Sequence, residues 1–95
     1  MSPETFPQFE TRTRAEGFDE VLERRWPAHT TLDSHAHPFA VKAVVADGEL
    51  WLTTGKRTRH LRAGDDFELD RDELHAERYG AEGTTLWVAR RHSQG

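Results

Sequence analysis

The chain has 95 residues, 35% of them hydrophobic and 32% charged, with a formal net charge of −4 and no cysteine. That length fits one small domain with a modest core. The missing cysteine excludes a disulfide scaffold, a Cys-based zinc module and a thiol nucleophile.

Residues 1–14 are polar, carry Pro3 and Pro7, and read as an irregular N-terminal arm. Phe6 and Phe9 are the side chains that could tack it onto a domain spanning 15–91. No stretch has a helical apolar period of useful length, so little or no helix is expected. Residues 19–26 come nearest, but Val21 and Leu22 are adjacent and Pro27 closes the segment. Strands are expected at 18–26, 33–46, 49–53, 57–61, 66–69, 74–79 and 84–90, with a tail at 92–95. Turn signals separate them: Asp47-Gly48, Gly55-Lys56, Ala63-Gly64-Asp65, a charged turn at 70–72, and 80–83. About seven short strands at hairpin spacing read as an all-β sandwich or barrel.

Nine aromatics, three of them Trp, are too many to leave unburied. Trp26, Trp51 and Trp87 read as core or dimer contacts. No apolar run approaches the roughly 18 residues of a membrane span. The first ten residues carry Glu4 and Glu10 and no basic residue, so no signal peptide is expected. The default location is cytoplasmic. Thirteen basic residues are outweighed by 17 acidic ones and form no strong cluster, which argues against a nucleic-acid partner. The dense acids around 65–73 read as a solvated face.

Six His invite a site built from imidazoles. His35 and His37 are two apart on an expected strand, so both side chains point one way, about 6.6 Å apart at the backbone. Two imidazoles at that separation can converge on one ion, and His75, heading a later strand, is the natural third ligand. Phe39, Val41, Ala43 and Val45 share the parity of the His pair and should line the barrel. Ala40, Val44 and Ala46 would then face a second layer or another subunit. A strand apolar on both faces, in a chain this short, points to a homodimer. Of the other His, His29 reads as solvent-facing, His60 as outside or at a dimer face, and His92 as idle in the tail.

The spacing extends beyond the His set. Gly48 lies eleven residues after His37, and Gly64 eleven residues before His75. With these residues the chain resembles the cupin superfamily, over roughly residues 18–91. The family's first motif, G-x5-H-x-H-x3/4-E-x6-G, meets His35, His37 and Gly48 here; its second, G-x5-P-x-G-x2-H-x3-N, meets Gly64 and His75. The departures are specific. The motif glutamate falls at Val41, or at Lys42 with the longer spacing. The Pro and Gly of the second motif are Asp70 and Asp72, its Asn is Tyr79, and the opening Gly of the first motif falls at His29.

The resemblance implies a double-stranded β-helix, a jelly-roll barrel with a metal between its sheets. It implies His35, His37 and His75 as ligands of a divalent transition metal such as Fe, Zn, Ni or Mn. Glu77, two residues after His75, shares its strand face and is expected to serve as fourth ligand or as general base. Tyr79 follows on the same face, and Glu77 and Tyr79 are the candidate catalytic pair. One functional expectation is a metal-dependent oxygenase, isomerase or lyase acting on a small anionic molecule. The other is a non-catalytic small-molecule sensing domain or a structural barrel.

Overall fold

The structure, a computed structural model, describes residues 4–92. The rest of the expected tail, 93–95, lies outside them. Residues expected to form an irregular arm instead begin with a helix, α1 (Phe6–Ala15). Its start is a capping box. The Thr5 hydroxyl accepts from the Gln8 amide at 3.3 Å, and the Gln8 side chain accepts from the Thr5 amide at 2.9 Å. Pro7 sits in the first turn, where its missing N–H costs nothing. The sequence signal was therefore present in Thr5, Pro7 and Gln8. A short helix with only Phe9 and Thr13 buried has too little apolar period to announce itself.

Eight strands follow: β1 (Glu20–Trp26), β2 (Thr31–His35), β3 (Ala40–Asp47), β4 (Glu49–Thr54), β5 (Arg57–Arg62), β6 (Asp66–Leu69), β7 (His75–Tyr79) and β8 (Thr84–Arg91). They form two four-stranded antiparallel sheets, ordered β1-β8-β3-β6 and β2-β7-β4-β5. The single strand expected over 33–46 is two strands, one in each sheet. Pro38 cannot donate to a ladder, and residues 36–39 leave one sheet to enter the other.

Alternation along the strands builds the core. Val41, Ala43 and Val45 of β3 turn inward, as expected, and meet Leu50 and Leu52 of the opposite sheet. Outward-facing Val44 and Trp87 pack instead with Phe9, Phe18 and Ala89. So α1, which packs on β1 and β8, covers part of the outer face within the chain and reaches Val44 of β3. Phe6 adds an edge-to-face contact with Trp87 at 5.9 Å. The tight β3–β4 turn depends on Gly48: a Cβ there would lie 2.2 Å from the Gly83 carbonyl oxygen.

Candidate metal centre

His35 ends β2 directly opposite His75, which begins β7. A register shift puts them there. Leu32 pairs with Glu77 and His35 with His75, so three steps on β2 match two on β7. Strict alternation from Leu32 would send His35 outward; the bulge turns it back into the barrel. His37 is not on the same strand, contrary to the expectation from its spacing. It lies in the 36–39 connection, where its carbonyl accepts from the Asp72 amide at 2.8 Å. Arg71 also clasps this connection, donating to the carbonyls of Pro38 and His92.

The three imidazoles nonetheless converge. Each offers a ring nitrogen, and these atoms lie within 4.8 Å of one another. Ring centroids are 4.3 Å apart for His35 and His75, 4.9 Å for His35 and His37, and 5.1 Å for His37 and His75. His35 Nδ1 is 2.7 Å from the Asp33 carbonyl, and His75 Nδ1 is 2.9 Å from the Glu73 carbonyl. A carbonyl can only accept, so each Nδ1 carries the proton and each Nε2 keeps its lone pair when the ring is neutral. That is the tautomer a metal ligand requires. Burial pulls the His37 pKa below its usual value, and the neighbouring His75 and His35 lower it further, which favours the neutral ring. The donor set therefore fits a divalent transition ion.

Glu77 shares the inward face, as its spacing from His75 implied. Its Oε2 is 3.5 Å from His35 Nε2 and 3.9 Å from His75 Nε2. Its Oε1 accepts from the Tyr79 hydroxyl at 2.8 Å. Tyr79 is buried and its ring stacks on Trp26 at 5.1 Å. Burial, then the charge and hydrogen bond of Glu77, hold the Tyr79 proton well above the usual phenol range. At the motif's glutamate position, Val41 is a buried wall residue, and Lys42 points away to Glu16 at 2.8 Å. Glu77 is the carboxylate on the cavity wall.

The cavity has a volume of about 130 Å³ and an apolar lining that includes Phe39, Val41 and Leu69. It also includes Arg24, Arg90 and Trp26, which the sequence reading did not single out as pocket residues. Parity would have found the arginines: Leu22, Arg24 and Trp26 alternate on β1, and Leu86, Val88 and Arg90 on β8. His29 and His60 stand outside the cluster; His60 stacks on Trp51 at 4.5 Å and bonds Glu49 at 2.6 Å. His92, expected idle, bonds Glu20 at 2.9 Å and lays its ring against Phe39. Asp66, Asp70 and Asp72 are exposed, as expected of a solvated face.

No family model matches the chain, and no curated protein does. Solved structures do. An RmlC-like cupin from Shewanella frigidimarina aligns with a TM-score of 0.71 at 18% identity, over 82% of this chain and 69% of that one. A protein with a double-stranded β-helix domain from Klebsiella pneumoniae aligns at 0.68 and 21%, over 82% and 70%. A protein of unknown function from Rhizobium leguminosarum aligns at 0.72 and 16%, over 77% and 69%. The chain has the cupin fold. Among the described residues, no helix is long and apolar enough to cross a membrane.

Proposed function

We propose that this chain is a small metal-dependent enzyme in which His35, His37 and His75 hold a divalent transition ion and Glu77 handles a proton of a small anionic substrate. The observation that carries the reading is the pair of carbonyls fixing Nδ1–H on His35 and His75, which leaves both Nε2 lone pairs free beside Glu77. A bound ion of this kind supplies Lewis-acid polarisation of a substrate oxygen or, as iron, oxygen chemistry.

The chain's own residues do the rest. Three neutral imidazoles leave a divalent charge uncompensated, so an anion is the favoured guest. The Tyr79 hydroxyl holds one oxygen of Glu77 and leaves the other toward the imidazoles, where it can take a proton. Phe39 and Val41 make the wall apolar and limit water around that carboxylate.

Elemental analysis of protein grown with Fe, Zn, Ni and Mn tests the reading. About one ion per chain in the wild type, lost in His35→Ala and in His75→Ala, is the expected result. Wild-type protein without stoichiometric metal overturns it. Glu77→Gln should keep the ion and abolish turnover in a screen of small carboxylates; loss of the ion would make Glu77 a ligand instead.

A further inference from the structure

The cavity wall carries two cations besides the three imidazoles and Glu77. Arg24 and Arg90 both line the cavity. Each is backed by an aromatic ring: Arg24 Cζ lies 4.7 Å from the Trp26 centroid, and Arg90 Cζ 5.0 Å from that of Phe39. Stacking holds a guanidinium plane in place while leaving its N–H edge free to donate. Arg24 forms no ion pair among the described residues. Arg90 Nη1 reaches Glu20 at 3.3 Å, but its Nε is buried with no hydrogen-bond partner. A buried donor left unpaired costs about 1–3 kcal/mol, so this N–H calls for a partner that the described residues do not supply.

The charge balance agrees. The permanently charged groups on the wall are two arginines, with Glu77 as the opposing carboxylate. With neutral imidazoles the wall residues themselves sum to one positive charge before any ion is added. We propose that Arg24 and Arg90 form a carboxylate subsite, and that the substrate is a short carboxylic acid carrying a second oxygen function that faces the three His. This rests on the metal reading above for the second function only; the carboxylate subsite stands on the arginines.

Three features fit a short carboxylate as the guest. A planar carboxylate matches the guanidinium fork in a bidentate way. Neither a lysine nor the amino end of a helix lies on the cavity wall to complete a phosphate cradle. At about 130 Å³ the cavity is also well below the roughly 300 Å³ at which sites for drug-sized ligands begin. The two arginines come from strands β1 and β8, and the His set from β2, its connection and β7. Both groups line the one cavity, so a single small guest can meet them together.

The test is calorimetric titration of malonate into chelator-stripped and metal-loaded protein, with malonamide as neutral isostere and inorganic phosphate as rival oxyanion. Malonate should bind both forms, the loaded form more tightly, and malonamide at least tenfold more weakly. Arg24→Gln and Arg90→Gln should each raise the malonate Kd at least tenfold in both forms. Arg24→Lys and Arg90→Lys, which keep the charge and the packing stem but lose the fork, should give a smaller rise in Kd and stand in if a Gln variant does not fold. Malonate affinity unchanged in the arginine variants overturns the proposal, as does malonamide or phosphate binding equal to malonate. Arginine dependence in protein that holds no metal, with affinity unaltered by His35→Ala, would support the subsite while removing the metal reading.

Discussion

The Tyr79 hydroxyl donates to one oxygen of Glu77 at 2.8 Å, and the other oxygen of that carboxylate stands 3.5 Å from His35 Nε2. The two residues are two positions apart on β7, so they share a face and meet without any turn between them. Tyr79→Phe keeps the stack on Trp26 and removes only the donor. A hydrogen bond to a charged group is worth roughly 1.5–3 kcal/mol, so urea denaturation should show a loss of that order with an unchanged m-value. In a Glu77→Ala background the same substitution should cost at least about 1 kcal/mol less. Equal costs in the two backgrounds would mean that Tyr79 acts through packing alone.

The carbonyls of Asp33 and Glu73 make a second expectation concrete. In metal-free protein at a pH where the rings are neutral, long-range 15N–1H spectra should show His35 and His75 as Nδ1–H tautomers. His29, exposed and outside the cluster, serves as the internal reference. Finding Nε2–H at either ligand position would contradict the arrangement on which the metal reading depends.

His29 and Asp72 stand where the family motifs carry glycine, and both have left-handed backbone, with φ of 61° and 63°. Gly48 and Gly64 at the other two motif positions have φ of 81° and 96°. The backbone at these two positions has the conformation that glycine adopts freely, while two side chains bear its cost. An L-residue loses roughly 1–2 kcal/mol in that region, less for Asp, and glycine gives back about 0.5–1 as chain entropy. His29→Gly and Asp72→Gly should therefore each stabilise by up to about 1 kcal/mol, a Tm rise of at most about 4–8 °C. Asp72→Ala should give no such rise. The His37 carbonyl accepts from the backbone of Asp72, so metal content should survive Asp72→Gly.

These positions also show what was legible beforehand. Period-2 alternation located β6 at 66–69 and the inward series Val41, Ala43, Val45, because a strand side chain has only two faces to choose from. The His set was legible through spacing, yet for a partly different reason than spacing suggests. His35 faces inward through a bulge, and His37 reaches the site from a connection. Neither feature leaves a mark at the residue itself, because a bulge is a property of two paired strands. Arg24 and Arg90 were hidden by their type: a charged residue on an inward position looks like an exception until the cavity around it is visible. Helix α1 was hidden by brevity, since most of its stability comes from docking.

That docking gives the last expectation. Phe9 is fully buried between α1 and the outer face of β1 and β8, together with Phe18 and Ala89. Phe9→Ala should cost about 3–5 kcal/mol, a large share of the roughly 5–15 kcal/mol available to a domain of this kind. Two carboxylates support the helix at its ends. The Arg12 side chain, hydrogen-bonded to Glu4, holds the Glu4 pKa below 4.5, and Lys42 does the same for Glu16. A carboxylate with a folded pKa below its unfolded one binds fewer protons when folded. Its contribution is present above about pH 4.5 and fades as the pH falls through the lower folded value. Amide exchange in α1 should therefore accelerate relative to the barrel as the pH drops below about 4.5, once the intrinsic pH dependence of exchange is divided out. Lys42→Met, which keeps the stem over the sheet and removes the charge, should abolish the Glu16 share of that change. Exchange in α1 that tracks the barrel at every pH would show that Phe9 alone seats the helix, with the ion pairs as bystanders.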